Sequence, residues 1–168
     1  MSKTSENVMS AFAGESQANR KYLFFAEKAE KEGQKQVARL FRAAADAETA
    51  HARNHLNVVG GIKSTEENLN AAVAGENHEF TEMYPGFIKQ AKAESNKDAA
   101  NSFDLANQVE EIHHNLFTSY LKMLQQGQAI EEKTIYVCQY CGNTIETDDP
   151  PENCPICGVH KRMFKKID

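Results

Sequence analysis

Apolar residues recur at helical spacing through the first 125 positions, and the pattern breaks in three places. Val8, Phe12, Tyr22 and Ala26 share one face of a stretch over 5–32 that ends at Gly33. A second stretch, 34–59, turns Val37, Phe41 and Ala44 inward and stops at Gly60-Gly61. Ser64-Thr65-Glu66-Glu67 has the serine and acid spacing of a capping box, so a third helix opens there and runs to about 95. Pro85 cannot donate to the carbonyl of Thr81, which predicts a kink or an extra-wide turn around Pro85-Gly86. Residues 97–125 form a fourth helix with an inward seam of Phe103, Ala106, Glu110, His113, Phe117, Tyr120 and Leu124. After it the chain turns polar, and from Thr134 it changes to short β-like pieces, turns and cysteines. The expected organisation is a mainly α four-helix bundle over 1–126, a linker over 127–133 and a small module over 134–168.

Two of these seams contain residues that an apolar core does not want. The stretch DAETAH, 46–51, continues the Val37/Phe41/Ala44 face with Glu48 and His51. Burying a carboxylate without a partner costs several kcal/mol or forces it to protonate. Glu15 lies on the inner face of the first helix, 33 residues before Glu48. Glu79 lies on the third helix, 31 residues before Glu110, and His113 follows one turn later. The pattern Glu…Glu-x-x-His thus occurs twice, and each Glu-x-x-His presents both side chains on one helical face. In the doublet EEIHH the seam selects Glu110 and His113, while Glu111 and His114 fall on the face of Asp104, Asn107 and Lys122.

Four carboxylates in one core raise each other's pKa and cannot all stay ionised. Two divalent cations remove the conflict, in the arrangement of carboxylate-bridged dinuclear bundles. Oxygen-rich donors with one imidazole per metal favour iron or manganese over zinc. Glu82 lies one turn beyond Glu79 on a strip of small residues, Ala72, Gly75 and Gly86, and reads as a seventh ligand. Glu76 reads as a solvent-facing or helix-start charge, His55 as a packed core histidine and His78 as solvated.

All four cysteines lie between 138 and 157, as C-x2-C-G-x11-C-P-x-C-G. Cys138, Cys141, Cys154 and Cys157 form two knuckles that hold one ion among four thiolates. Gly142 and Gly158 permit the positive φ that turns backbone N–H groups toward sulfur. Spacing alone leaves zinc and iron open. Bulk properties add exclusions. The formal charge is −5, and the basic tail HKRMFKK is short, so nucleic acid is not an expected partner. No apolar run is long enough to span a membrane and the start lacks a signal-peptide core, so a cytoplasmic setting is expected.

A dinuclear bundle followed by a knuckle pair resembles the rubrerythrin family. The stretches that carry the resemblance are GESQANRKY, DAETAH, ENHEFTEMYPGF, VEEIHH and the CxxCG/CPxCG pair. It implies a ferritin-like bundle with a rubredoxin-like module, a di-iron centre, and one mononuclear iron held by the four cysteine thiolates. By this resemblance Glu15, Glu48, Glu79 and Glu110 ligate the two irons, with His51 and His113 supplying nitrogen. Glu82 exchanges with His51 as the oxidation state changes, and Tyr22 hydrogen-bonds a ligand carboxylate. The implied activity is reduction of hydrogen peroxide to water. Electrons come from NAD(P)H through a separate reductase or a rubredoxin, along a path that runs between subunits of a homodimer or larger assembly.

The connection between the second and third helices does not suit that fold within one chain. The second helix spans about 37 Å, whereas 60–63 fully extended cover about 14 Å. Either the bundle is a plain up-and-down one, or helix pairs are exchanged between copies.

Overall fold

The computed structural model describes residues 2–167. It divides into two compact units, Met1–Lys63 and Ser64–Asp168, each containing one helix hairpin.

The first unit is α1 (Lys3–Lys31) and α2 (Lys35–Val58). Gly33 joins them at φ +75°, a conformation that other residues adopt only with strain. Ala26 and Ala29 of α1 and Ala38 and Ala45 of α2 are buried. Methyl groups at these four positions leave room for the two helices to come together there. Asn19 then reaches across, its amide donating to the Ala45 carbonyl at 2.7 Å and to Thr49 Oγ1 at 2.9 Å. Arg42 pairs with Glu30 at 2.8 Å near the connecting end.

The second unit opens with α3 (Thr65–His78), capped as its sequence predicts by Ser64 and Glu67. The interruption expected near Pro85 is an extra-wide turn. Glu79–Met83 forms one π turn, closed by the Tyr84 N–H on the Glu79 carbonyl, and α4 (Tyr84–Ala93) continues with Pro85 in its first turn. Pro85 is placed where its missing donor costs least. Then α5 (Lys97–Gln125) returns along α3 and α4, burying Val109 and Leu121.

The two hairpins carry the same aromatic layer. Tyr22, Phe25 and Phe41 have ring centroids 5.5–6.3 Å apart. Sixty-two residues later in each case, Tyr84, Phe87 and Phe103 repeat the triad at 5.4–6.3 Å.

The C-terminal module is a small antiparallel sheet in the order β2-β1-β3, from β1 (Ile135–Cys138), β2 (Thr144–Glu146) and β3 (Phe164–Ile167). It belongs to the same compact unit as α5. Glu146 of β2 accepts a hydrogen bond from the Tyr120 hydroxyl of α5 and pairs with Lys133 at 3.0 Å. Among the described residues no helix is long and apolar enough to cross a membrane.

Candidate metal centres

Among the described residues, three groups of side chains bring ligand atoms within 4.8 Å of one another: Glu15, Glu48 and His51; Glu76, Glu110 and His113; and the four cysteines.

The first cluster lies on the α1–α2 hairpin. His51 Nδ1 is 2.8 Å from Glu48 Oε2 and 3.9 Å from Glu15 Oε1. One helical turn separates Glu48 from His51, and α1 brings Glu15 against them. The second cluster repeats this geometry on α3 and α5. His113 Nδ1 is 2.8 Å from Glu110 Oε2 and 3.9 Å from Glu76 Oε1. The first cluster is the more open, with the His51 side chain 54% exposed against 27% for His113.

Glu76 therefore stands in the cluster where the 31-residue spacing to Glu110 expects Glu79. The internal repeat accounts for the difference. Tyr22, Phe25, Phe41, Glu48 and His51 all recur 62 residues on, whereas Glu15 recurs 61 residues on, at Glu76. The one-residue excess lies between Glu76 and Tyr84, where the π turn absorbs it. The aromatic triads are the signal that fixes this register. Pairing Glu15 with Glu79 instead leaves a two-residue discrepancy, which one π turn does not absorb.

Glu79 remains close enough to feel the cluster. Burial, then the Glu110 charge, raises its carboxyl above the ordinary range. Glu82 does not join it. Its side chain is 72% exposed and faces His78 at 3.5 Å on the helix surface. Tyr22 packs in the aromatic layer with Phe25 and Phe41. Tyr84, its counterpart, faces the acids: burial and the charges of Glu110, Glu79 and Glu76 raise its hydroxyl pKa. His114 is half-buried rather than solvent-facing. Its Nδ1 lies 3.2 Å from the Val73 carbonyl and its ring against Phe80.

The electrostatics of the second cluster fit a cation. Burial and the adjacent Glu110 push Glu76 up to about 7. The Glu110 hydrogen bond raises the His113 pKa against the opposing effect of burial. Glu110 Oε2 lies 2.8 Å from Nδ1 and Thr144 Oγ1 lies 2.9 Å from Nε2, so each ring nitrogen has an oxygen within hydrogen-bonding distance. A metal held by Glu76, Glu110 and His113 would relieve the repulsion between the acids. Hard oxygens with one imidazole suit iron or manganese.

The four-cysteine site has the dimensions of a metal tetrahedron. Cys138 and Cys157 Sγ atoms are 3.8 Å apart, and those of Cys141 and Cys154 are 3.7 Å apart. Bonds of about 2.3 Å to a central ion give tetrahedron edges of about 3.8 Å. Gly142 (φ +86°) and Gly158 (φ +76°) sit after the second cysteine of each knuckle. Backbone N–H groups of Asn143 and Val159 then point at Cys141 and Cys157. Burial opposes ionisation of Cys154, but N–H groups of Cys157 and Ile156 outweigh it and bring that thiol to about 7. Asn143 is fully buried beneath the site, its amide 3.6 Å from Cys154 Sγ.

Comparison with known proteins agrees with both kinds of site. A family model described as rubrerythrin matches residues 6–121, and one for the rubredoxin-like domain of rubrerythrin matches 136–165. Rubrerythrin of Porphyromonas gingivalis is 36% identical, covering 99% of this chain and 90% of the relative. Rubrerythrin of Nitratidesulfovibrio vulgaris is 35% identical, covering 99% and 95%. Solved structures of nigerythrin in mixed-valent and fully reduced, all-ferrous states superimpose with TM-scores of 0.57 and 0.59. Both are 31% identical and cover 99% of this chain and 88% of nigerythrin. The four-cysteine site is that of the rubredoxin-like domain, and the two carboxylate–histidine clusters are the candidates for the di-iron centre. On this match the chain belongs to the rubrerythrin family.

Proposed function

We propose that this protein is a non-haem di-iron peroxidase that reduces hydrogen peroxide to water. The overall change is H2O2 + 2 e− + 2 H+ to 2 H2O. Electrons enter from an NAD(P)H-linked reductase or a rubredoxin and pass through the four-cysteine site. The observation that carries this reading is the presence, in one chain, of two matching Glu-Glu-His clusters and a four-thiolate tetrahedron. Iron storage has no use for the thiolate site, and a zinc-ribbon adaptor has no use for acids gathered in helix seams.

When bound, a pair of irons supplies two electrons, matching what peroxide takes. The chain's own residues set the conditions. Glu48 and Glu110 stand in equivalent positions beside the two histidines, and Glu15 and Glu76 complete each cluster. Glu79 is the spare carboxylate. The role expected of Glu82 fits it better, because Glu79 is half-buried beside Glu110 whereas Glu82 faces solvent. Tyr84 bears on the acids from the aromatic side. Four free thiols suit a reducing, cytoplasmic compartment.

The working assembly in this reading is a homodimer in which helix pairs are exchanged. The link from Val58 to Thr65 extends to about 20–25 Å at most, whereas α2 is about 36 Å long. The crossover that a ferritin-like bundle needs cannot be made by that link. A second copy also accounts for Phe24, Phe25 and Leu40, apolar side chains exposed on the first hairpin.

Metal content per chain, measured on protein purified without oxygen or added zinc, tests the reading. About three irons, with thiolate-to-iron bands that bleach on reduction and return with peroxide, support it. One zinc and no bundle metal overturns it.

A further inference from the structure

We infer that Thr144 is a positioning residue that joins the four-cysteine site to the Glu76/Glu110/His113 cluster within a single chain. The inference rests on the peroxidase reading for its redox use, though its geometry stands apart from it.

Thr144 opens β2, two residues beyond Gly142 of the first knuckle. Its hydroxyl donates to the Gly142 carbonyl at 3.0 Å. That spends its one proton, so toward His113 Nε2, at 2.9 Å, the oxygen accepts. The imidazole is held at both edges. Nε2–H is tied to the module, and Nδ1 is turned to Glu110 and Glu76. A ligating histidine is oriented by what its second nitrogen bonds. Here that partner is a hydroxyl from the other metal module.

The contact is anchored on either side. A carbon added at Gly142 comes within 3.6 Å of Val109, the residue before Glu110. Glu146, two residues after Thr144, meets Tyr120 two helical turns beyond His113. The alternation of β2 and the pitch of α5 bring both pairs together at once. Cys141, Gly142, Thr144 and His113 thus form one line of covalent and hydrogen bonds. With iron held at both ends, the four cysteines would hold a one-electron donor and His113 would hold its one-electron acceptor. No proton need cross.

The resemblance to rubrerythrins implies a path between subunits, and the linker alone gave no reason to expect otherwise. In this chain the module lies on its own α5.

Thr144→Val removes both hydrogen bonds with little change of volume, and Thr144→Ser keeps them. Iron-loaded full chain is reduced without oxygen, mixed with peroxide, and followed by the return of ferric four-cysteine absorption. The return should be slower by about tenfold or more in Thr144→Val. In Thr144→Ser it should stay close to the parent rate, with the potential of the four-cysteine site unchanged in both. Loss of bundle iron in Thr144→Val alone reports the same positioning through affinity. A second readout uses full chain loaded with diamagnetic zinc. A slowly exchanging His113 Nε2–H resonance should be present in the parent and Thr144→Ser and absent in Thr144→Val. Equal rates in Thr144→Val and the parent, or no such resonance in the parent, overturn the inference. A parent that peroxide fails to reoxidise overturns the peroxidase reading instead, and the resonance still decides the role of Thr144.

Discussion

Glu76 stands eight residues before Tyr84, one more than separates Glu15 from Tyr22, and a single π turn takes up the difference. Both acids consequently face a Glu-x-x-His pair with matching distances. The extra residue also leaves Glu79 on the widened turn, a position the first hairpin does not have.

Glu76→Ala and Glu110→Ala should therefore both remove bundle iron, while Glu82→Ala should leave it in place. Iron per chain after anaerobic reconstitution distinguishes the two registers. Equal loss from Glu76→Ala and Glu82→Ala would sink the assignment. Glu79→Gln should keep the iron and slow peroxide turnover.

The metal-free chain should be more stable at pH 5 than at pH 8. Glu76 titrates at about 7 in the folded chain against an ordinary 4.5. The folded state then holds more protons than the unfolded one, and stability falls as pH rises from about 4.5 to 7. His113 acts in the same sense: its raised pKa gives stability below about 6.5 that is lost as pH rises through its folded value. Thermal melts across this range should show the decline, and Glu76→Gln should flatten it. A rise in melting temperature from pH 5 to 8 would contradict the assigned environment.

Gly142→Ala and Gly158→Ala should each destabilise the cysteine module by about 1–2 kcal/mol, because φ of +86° and +76° burdens a side chain. The space around Gly142 is ordinary contact distance, so the cost comes from the backbone. Denaturant melts followed through the visible thiolate bands measure it. Unchanged midpoints would show that the knuckles relax freely.

Helix exchange makes a complementation prediction. Glu48→Ala and Glu110→Ala chains, each unable to build a complete site alone, should recover one di-iron site per mixed dimer when coexpressed. In an exchanged pair one site collects both lesions and the other collects none. Mixed dimers without bundle iron would show that each copy builds its site from its own helices.

Much of this was legible in the sequence. Helix periodicity located the helices, the CxxCG pair announced the tetrahedron, and Pro85 marked the irregular turn. Glu15, Glu48, His51, Glu110 and His113 fell on the faces where the structure has them. Glu76 did not, because the 31-residue spacing to Glu110 points to Glu79, and only the extra residue taken up by the π turn at Glu79–Met83 brings Glu76 into register with Glu15. Contacts between distant segments were also beyond reach. Nothing in the composition of β2 indicates that Thr144 meets His113, since that pairing depends on where a polar linker lets the module settle.

The difference in exposure between His51 and His113 has a consequence for how a metal pair is built and lost. In the single chain, before a second copy covers the first hairpin, the cluster on α3 and α5 is shielded and braced from β2, whereas that on α1 and α2 opens to solvent. An incoming ion is retained first where its ligands are already held, and a chelator reaches first the ion whose ligands face water. The two positions should differ in residence time. A chain caught midway through assembly or oxidative damage should hold its remaining ion beside His113.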